Sequence, residues 1–388
     1  RLVAKEIKMD KRDDLFAATP PLEAKKLLLA LALTEQYGYT RGDKASQLKL
    51  DFIDVRRAFF HAPCLREVYV DLAPEDATEG MCGMLKMAMY GTRDAPQNWE
   101  FEYCEFMEQA GFTKGISTPC LFHHEPRNLR VVVYGDDFTV LGPEHELDWF
   151  RKEMSKRYEV EFKARLGGTT KDDKSVFLLS RPIEWGPDGI TYEADQRHVE
   201  IMLRDLELQG KNRYTPFPMK RVTAEELQNP TPELDPVRST LYKSVTARAN
   251  YLSQDRSDIR YAVKELSRAM SKPCEADLGR LKHLGRYLSQ HPRLVQHYKR
   301  QSYTQFIDVW VDTDFAGCLK TRKSTSGGVI TIGDHVIKTW STTQTTIALS
   351  SGEAEYYGMV KGASIALGIR SMLGDLGVDM QIRIRTDA

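Results

Sequence analysis

Two runs of aliphatic and β-branched residues flank a Gly-Asp-Asp sequence in the segment LRVVVYGDDFTVLG, residues 129–142. Runs of this composition on either side of a glycine-containing turn are typical of a β-hairpin. The sequence therefore predicts a sheet that carries two adjacent carboxylates, Asp136 and Asp137, where its chain turns.

A third carboxylate, Asp54, ends a strand predicted over LKLDFIDV, residues 48–55. Apolar residues alternate on one face of this strand and Asp54 continues that face, which is unfavourable unless its charge is compensated. If this strand and the hairpin are neighbours, three carboxylates converge, and such oxygen ligands suit Mg²⁺. Because adjacent side chains of a strand face opposite sides, we expect Asp136 rather than Asp137 to be the stronger ligand.

Two Mg²⁺ ions roughly 4 Å apart can activate a 3′-hydroxyl, orient a triphosphate and stabilise the leaving pyrophosphate. The converging carboxylates thus indicate nucleotidyl transfer. Gly-Asp is also a common hairpin turn, so the motif by itself leaves an ordinary turn as the alternative.

Composition limits the class of protein. A chain of 388 residues with 41% hydrophobic and 28% charged residues is typical of a soluble protein of two or three domains. The longest apolar run, Leu27–Leu33, is far shorter than the roughly 20 residues of a membrane span, so no membrane partner is expected. Six scattered cysteines without a C-x-x-C pair favour reduced thiols. A start without Met and without a secretory signal is expected of a fragment.

The charge is unevenly distributed. The formal net charge is zero, but residues 196–300 contain 20 Lys/Arg and 12 Asp/Glu. A basic segment beside an acidic remainder suits a phosphate-binding surface next to metal-holding carboxylates. Solvated helices rich in Arg and Lys are the alternative.

The remaining patterns predict helices over residues 22–38, 97–110 and 149–158, and two or three basic helices within residues 239–290. From Phe306 onward the order is three strands, a long helix and a strand, which indicates a compact α/β unit.

Seven segments, in this order, resemble the reverse transcriptase of copia-type LTR retrotransposons. They are RLVAK (1–5), DVRRAFFHAPCLREVYV (54–70), KMAMYGTRDAPQNW (86–99), GF followed by PCLF (111–122), VVVYGDD (131–137), YLSQDRSDIRYAVKELSRAM (251–270) and LKHLGRYL (281–288). The resemblance covers essentially the whole chain and implies a right-hand polymerase with fingers, palm and thumb.

The resemblance assigns roles residue by residue. Asp54, Asp136 and Asp137 match the metal-binding triad of the palm. The residues that match nucleotide-binding positions are Arg1, Lys5, Phe59, Tyr90, Gly91 and Tyr134. An aromatic ring at Phe59 would exclude a 2′-hydroxyl and so select deoxynucleotides, although an ordinary core aromatic is the alternative.

The end of the chain resembles the RNase H domain of the same family through VDTDFAG (311–317), TRKSTSGG (321–328) and ALSSGEAEYYG (348–358). By position, Asp312, Glu355 and Asp387 would hold metal ions. For Glu353 we expect a helix-capping role, with Ser350 three residues ahead. The family's fourth carboxylate would lie beyond Ala388, so weak or absent RNase H activity is expected.

Two departures from the family are informative. The family usually has valine where Gly135 stands, and a glycine near the primer terminus is replaced by Leu179 in the sequence FLLS. Glycine is easily accommodated in a turn. The loss of the second glycine bears on the backbone geometry that grips the primer.

The predicted fold class is α/β (α+β): a right-hand polymerase followed by a partial RNase H-like domain. The predicted domains are fingers and palm at 1–190, basic thumb and connection at 191–303, and RNase H-like at 304–388. The chain would extend a primer on RNA or DNA with dNTPs, using Mg²⁺ or Mn²⁺.

Its expected partners are an RNA or DNA template–primer, with the protease and integrase encoded outside this chain. The expected location is the cytoplasm, within a virus-like particle, or the nucleus. Two alternatives are a catalytically dead remnant that only binds nucleic acid and an RNA-dependent RNA polymerase. Use of rNTPs in preference to dNTPs would favour the second.

Overall fold

The computed structural model describes most of the chain, namely residues 3–7, 15–210 and 214–387. Contacts between residues divide it into two compact units. Unit 1 comprises residues 1–174 and 369–379, and unit 2 comprises residues 175–368 and 380–388. Each unit mixes helices and strands, which confirms the α/β class, whereas the domain boundaries at 190 and 303 remain predictions.

Unit 1 is built on a six-stranded sheet. The strands of the unit are β1 (Lys49–Val55), β2 (Tyr69–Val70), β3 (Gly83–Met84), β4 (Thr113–Lys114), β5 (Leu121–His124), β6 (Leu129–Tyr134), β7 (Asp137–Gly142) and β8 (Val160–Leu166). Its α-helices are α1 (Leu22–Ala32), α2 (Ala95–Gln109) and α3 (Glu144–Arg157). The large sheet has the order β4-β5-β6-β7-β1-β8, and β2 pairs with β3.

Strand β1 lies between β7 and β8 and is antiparallel to both. Every residue of β1 except Asp54 is buried, as expected for a strand covered on both faces. Strands β6 and β7 form the predicted hairpin. The core beneath the sheet includes Trp99 of α2, Phe138 of β7 and Phe150 of α3, each no more than 1% exposed.

Helix α1 ends at Ala32, six residues before the predicted stop at Gly38. The chain then turns back on the helix end, and a Cβ at Gly38 would lie 2.2 Å from the carbonyl oxygen of Ala32. Gly38 therefore permits a close approach of backbone to backbone rather than ending the helix. Helices α2 and α3 begin earlier than predicted, at Ala95 and Glu144.

Unit 2 contains two four-stranded sheets and a group of helices. Its strands are β9 (Ser175–Leu178), β10 (Arg181–Gly186), β11 (Gly189–Glu193), β12 (Val295–Lys299), β13 (Phe306–Thr313), β14 (Thr325–Ile332), β15 (His335–Thr343) and β16 (Gln381–Arg385). Its helices are α4 (Arg197–Asp205), α5 (Ala224–Gln228), α6 (Pro236–Leu252), α7 (Arg260–Ser267), α8 (Glu275–Gln290) and most of α9 (Ser351–Asp375).

The two sheets of unit 2 have the orders β12-β11-β10-β9 and β15-β14-β13-β16. In the second sheet β13 runs parallel to β16, and α9 precedes β16. This order of elements confirms the predicted α/β unit. Helices α6, α7 and α8 confirm the predicted helical segment and share a core with α4.

Among the helices that the structure describes, none combines the length and apolarity that a membrane crossing needs. All six cysteines lie in described segments and are unpaired, in agreement with the prediction of free thiols.

Candidate active site

The end of β1 places Asp54 directly opposite Asp137, the first residue of β7, in the antiparallel ladder. Asp136 lies in the turn just before β7, with Gly135. The structure therefore places all three predicted carboxylates at the same end of strands β1 and β7, although among the described residues their oxygens do not form a group within 4.8 Å of one another.

The hairpin turn consists of Gly135 and Asp136, because Tyr134 pairs with Asp137. Gly135 has φ +64°, a value that suits glycine at the first central position of a two-residue hairpin turn. Asp136 thus belongs to a turn and not to a strand, so the alternation of strand side chains does not rank it against Asp137. The preference for Asp136 as a metal ligand stays a prediction.

Lys163 of β8 supplies a positive charge between two of these carboxylates. Its Nζ lies 3.0 Å from Oδ1 of Asp54 and 2.8 Å from Oδ1 of Asp137. Burial disfavours the charged ammonium, but the hydrogen bonds to Asp137 and Asp54 outweigh it and raise the pKa of Lys163. The site is therefore partly neutralised by the protein itself.

The sequence interpretation missed Lys163 because it predicted no strand there. The apolar side chains of residues 160, 162, 164 and 166 alternate with polar ones, and this period is the signal that could have revealed β8.

The pKa of Asp136 is raised. Partial removal of its carboxyl from solvent is the main cause, and the negative charges of Asp54 and Asp137 act in the same direction. Its own backbone N–H, which donates to the carboxylate, and the Lys163 ammonium oppose this effect. A carboxyl whose pKa is raised by burial and by neighbouring negative charges is in an environment that a divalent cation would relieve.

Two hydrogen bonds hold the turn itself. The N–H of Val55 donates to the carbonyl of Asp136 at 2.9 Å, and the indole Nε1 of Trp99 donates to the carbonyl of Gly135 at 2.8 Å. Consecutive carbonyls of the turn are thus bound by β1 and by α2.

The predicted nucleotide-binding residues Phe59 and Tyr90 lie against each other, with ring centroids 4.5 Å apart. Phe59 lies in a short 3₁₀ helix, Ala58–His61, directly after β1. The Phe59 side chain is half-buried: part of it packs against the hydrophobic core and part of it is accessible to solvent.

Gly91 is required by a close approach of the N-terminal segment. Its φ is +97°, and a Cβ there would lie 1.8 Å from the carbonyl oxygen of Ala4. The N–H of Ala4 donates to the carbonyl of Tyr90, a member of the aromatic pair, at 2.7 Å. Lys5, the next residue after Ala4, is exposed. Arg1 lies outside the described residues.

An ion-pair network fixes the same segment. Arg66 Nη2 lies 2.7 Å from Glu6 Oε2, and its Nε lies 3.0 Å from Asp94 Oδ2. Glu6 also accepts from the N–H of Arg93 at 2.7 Å. Despite the opposing effect of burial, the Arg66 guanidinium holds the pKa of Asp94 below its usual value.

Tyr134, the remaining predicted nucleotide-binding residue, ends β6 beside the turn. The ammonium of Lys25, a buried residue of α1, lies 4.5 Å from the centre of its ring. The phenol ring therefore has a cation on one face.

Unit 2 contains a second carboxylate cluster, formed by Asp312 of β13, Glu355 of α9 and Asp387 after β16. One oxygen from each carboxylate lies within 4.8 Å of the other two, close enough to share a metal ion. Burial raises the pKa of Glu355, and the charges of Asp312 and Asp387 raise it further. Glu355 Oε2 is buried without a hydrogen-bond partner in the described structure, as is suitable for a metal ligand.

Two neighbouring acids, Asp314 and Glu353, accept backbone hydrogen bonds. Asp314 accepts a hydrogen bond from the N–H of Thr325 at 2.6 Å. At the start of α9 the N–H of Glu353 donates to Ser350 Oγ at 3.1 Å, while Glu353 Oε2 accepts from the N–H of Leu349 at 2.7 Å. The predicted capping role of Glu353 is confirmed.

Comparison with known proteins gives consistent results. Residues 1–169 match the family described as reverse transcriptase (RNA-dependent DNA polymerase). The chain is 27% identical over 341 residues to the retrovirus-related Pol polyprotein from transposon RE2 of Arabidopsis thaliana, and 28% identical over 335 residues to that from transposon RE1. Each alignment covers 84% of this chain but only 22% of the polyprotein, so the chain spans a minor part of these relatives.

Among solved structures, the foamy viral protease–reverse transcriptase in complex with double-stranded DNA aligns with a TM-score of 0.49 and 13% identity, over 96% of this chain and 53% of that chain.

Proposed function

We propose that this chain is an RNA-directed DNA polymerase, because its residues 1–169 match the reverse transcriptase family and 84% of the chain is similar to the Pol polyproteins of the copia-type transposons RE1 and RE2. It would extend a primer on an RNA or DNA template with dNTPs. The observation that carries the proposal is the placement of Asp54 opposite Asp137, with Asp136 in the adjoining turn, at one end of strands β1 and β7.

The residues present fit a divalent metal site. Three carboxylates offer hard oxygen ligands, the pKa of Asp136 is raised by burial and further by the charges of Asp54 and Asp137, and Lys163 already provides one positive charge there. When bound, Mg²⁺ or Mn²⁺ would polarise phosphate oxygens and lower the pKa of a primer hydroxyl. Asp54, Asp136 and Asp137 would hold the metal, and Lys163 would keep the carboxylates together in its absence.

We assign nucleotide binding to Lys5, Phe59, Tyr90, Gly91 and Tyr134. Phe59 packs against Tyr90 and is anchored in the core, so its ring cannot easily move aside for a ribose 2′-hydroxyl. Gly91 allows the segment that bears Lys5 to approach, and the Lys5 ammonium would meet the triphosphate.

Template and primer would be held through their phosphates. The segment from Arg238 to Arg300, which contains α6, α7, α8 and β12, has 14 Lys/Arg against five Asp/Glu. Such binding is independent of sequence and weakens with salt, because it releases counterions. Base pairing, rather than the protein, would supply sequence specificity.

We further propose that Asp312, Glu355 and Asp387 form an RNase H-type metal site. The unpartnered Glu355 oxygen and the mutual proximity of the three carboxylates support this assignment. Cleavage of the RNA strand of an RNA–DNA hybrid with Mg²⁺ or Mn²⁺, compared between the wild type and Asp312→Asn, tests it. Equal cleavage by both proteins would contradict it.

Primer extension tests the polymerase proposal. The wild type should extend a DNA primer on an RNA template with dNTPs and use rNTPs poorly, whereas Asp136→Asn should be inactive. Asp76→Asn, at an exposed position of the same unit, is the matched control and should retain activity. Preference for rNTPs, or equal activity in the wild type and Asp136→Asn, would refute the proposal.

A further inference from the structure

Trp99 of α2 reaches the catalytic turn although it is far from it in sequence. The side chain is 1% exposed, and its Nε1 donates to the carbonyl of Gly135 at 2.8 Å. The indole ring is fixed by edge contacts with Tyr103 and Tyr158, at centroid distances of 5.6 Å and 5.3 Å. A donor held this rigidly defines the direction of the carbonyl that it binds.

The planarity of the peptide bond transmits that direction to Asp136. In a trans peptide the carbonyl of one residue and the N–H of the next point in opposite directions. When Trp99 draws the Gly135 carbonyl inward, the N–H of Asp136 must therefore point outward. There it donates to the carboxylate of Asp136 itself.

The next peptide is fixed from the other side. The carbonyl of Asp136 accepts from the N–H of Val55, the residue directly after Asp54. On the outer side Gly135 is exposed, and among the described residues no atom lies within 4 Å of where its Cβ would be. Trp99 and Val55 thus hold the turn from the inner side, because each donates a hydrogen bond to one of its two carbonyls.

We propose that Trp99 is a positioning residue for nucleotidyl transfer: its indole N–H sets the plane of the Gly135–Asp136 peptide and so directs the Asp136 carboxylate toward the site that it forms with Asp54 and Asp137. This inference rests on the proposed polymerase function. It assigns to Trp99 a role that aromatic packing alone would not require, since packing does not need the indole N–H.

Removal of the N–H donor at constant ring shape tests the inference. Trp99→benzothienylalanine replaces the indole N–H by sulfur, and Trp99→Phe is the simpler variant. Trp149, in α3 of the same unit, packs on Phe112 and is the matched control with the same two replacements. For the Trp99 variants we expect kcat for primer extension to fall about 10-fold, in line with the loss of one buried hydrogen bond. KM for dNTP should change less than about twofold, because uniform substrate binding is left intact.

A second readout does not depend on turnover. Binding of Mn²⁺ alone, measured by electron paramagnetic resonance, should be several-fold weaker in the Trp99 variants than in the wild type and the Trp149 variants. Urea unfolding should show similar stability for the two benzothienylalanine variants, at position 99 and at position 149. Unchanged kcat and unchanged Mn²⁺ affinity in Trp99→benzothienylalanine would overturn the inference. An inactive wild type whose Mn²⁺ binding still depends on Trp99 would remove the polymerase proposal and leave the positioning role standing.

Discussion

Asp54 and Asp137 face each other across the antiparallel ladder of β1 and β7, although 83 positions separate them in the chain. Opposite like charges destabilise a pair of strands unless a cation intervenes. Lys163, on the strand that pairs with β1 from the other side, provides that cation. The pairing of β1 with β7 therefore keeps two mutually repelling carboxylates side by side at the proposed catalytic site.

Replacement of Lys163 by methionine should destabilise the metal-free protein. The ammonium is about one-third exposed, so after screening by water we expect a loss of roughly 1 kcal/mol in the free energy of unfolding. Mg²⁺ should restore part of this loss, because it supplies charge to the same carboxylates. Urea unfolding with EDTA and with Mg²⁺ measures both effects. Lys152→Met, at an exposed position of α3, is the control, and an equal loss in both variants would contradict the role of Lys163.

Neutralisation of Asp136 should stabilise the protein while it abolishes polymerisation. A carboxyl whose folded-state pKa is raised above its ordinary value of 3.8 holds its proton more tightly in the folded state. Its contribution to stability is complete below pH 3.8 and is lost as the pH rises through the folded-state pKa. In EDTA at pH 7, Asp136→Asn should therefore unfold at a higher urea concentration than the wild type. This difference should vanish below pH 3.8, and a variant less stable at pH 7 would contradict the sign.

Phe59→Val should relax the selection against ribonucleotides. The smaller side chain opens space beside Tyr90 where the phenyl ring now lies. A change of this size in a steric contact is worth about 10- to 200-fold in discrimination. The ratio of kcat/KM for dNTP to that for rNTP measures it. Phe60→Val is the neighbouring control, since Phe60 is 40% exposed and meets Tyr90 only with an edge, and equal relaxation in both would deny Phe59 a special role.

The local parts of the fold could be predicted from sequence because their signals are local. The strand that ends at Asp54 and the hairpin around Gly135 follow from the spacing of apolar residues over a few positions. The end of α1 could not be predicted in this way. Its stop depends on how the chain at Gly38 packs back on Ala32, which is a tertiary contact.

The same distinction applies to the site. The three carboxylates could be grouped from their motifs, whereas Lys163 and Trp99 enter only through the order of strands and the packing of α2. The alternation at residues 160–166 could have revealed the strand of Lys163, but neither that pattern nor the motif that ends at Trp99 shows which atoms these two side chains contact. Their contribution becomes visible only when the elements are assembled.

The hairpin between β9 and β10 carries strain that a substitution should relieve. Leu179 and Ser180 have φ values of +49° and +63°, although neither is glycine. The glycine that the family resemblance places at position 179 is thus lost, but the left-handed backbone that would suit it is kept. Leu179→Gly should raise the free energy of unfolding by about 1 kcal/mol. Leu179→Ala keeps the strained backbone and loses the same side-chain contacts, so in thermal unfolding only the glycine variant should gain.

Removal of the Arg256 charge should strongly destabilise unit 2. The residue is 1% exposed, and its guanidinium donates to Asp258 at 2.9 and 2.7 Å and to the carbonyls of Pro292 and His291. Arg256→Met would remove the guanidinium from both carbonyls and leave Asp258 only the hydroxyl of Tyr287, at a cost of about 3–5 kcal/mol in the free energy of unfolding. Arg204→Met, which breaks an exposed pair with Asp205, should cost less than about 1 kcal/mol. Comparable urea midpoints for the two variants would show that the buried network does not stabilise the unit.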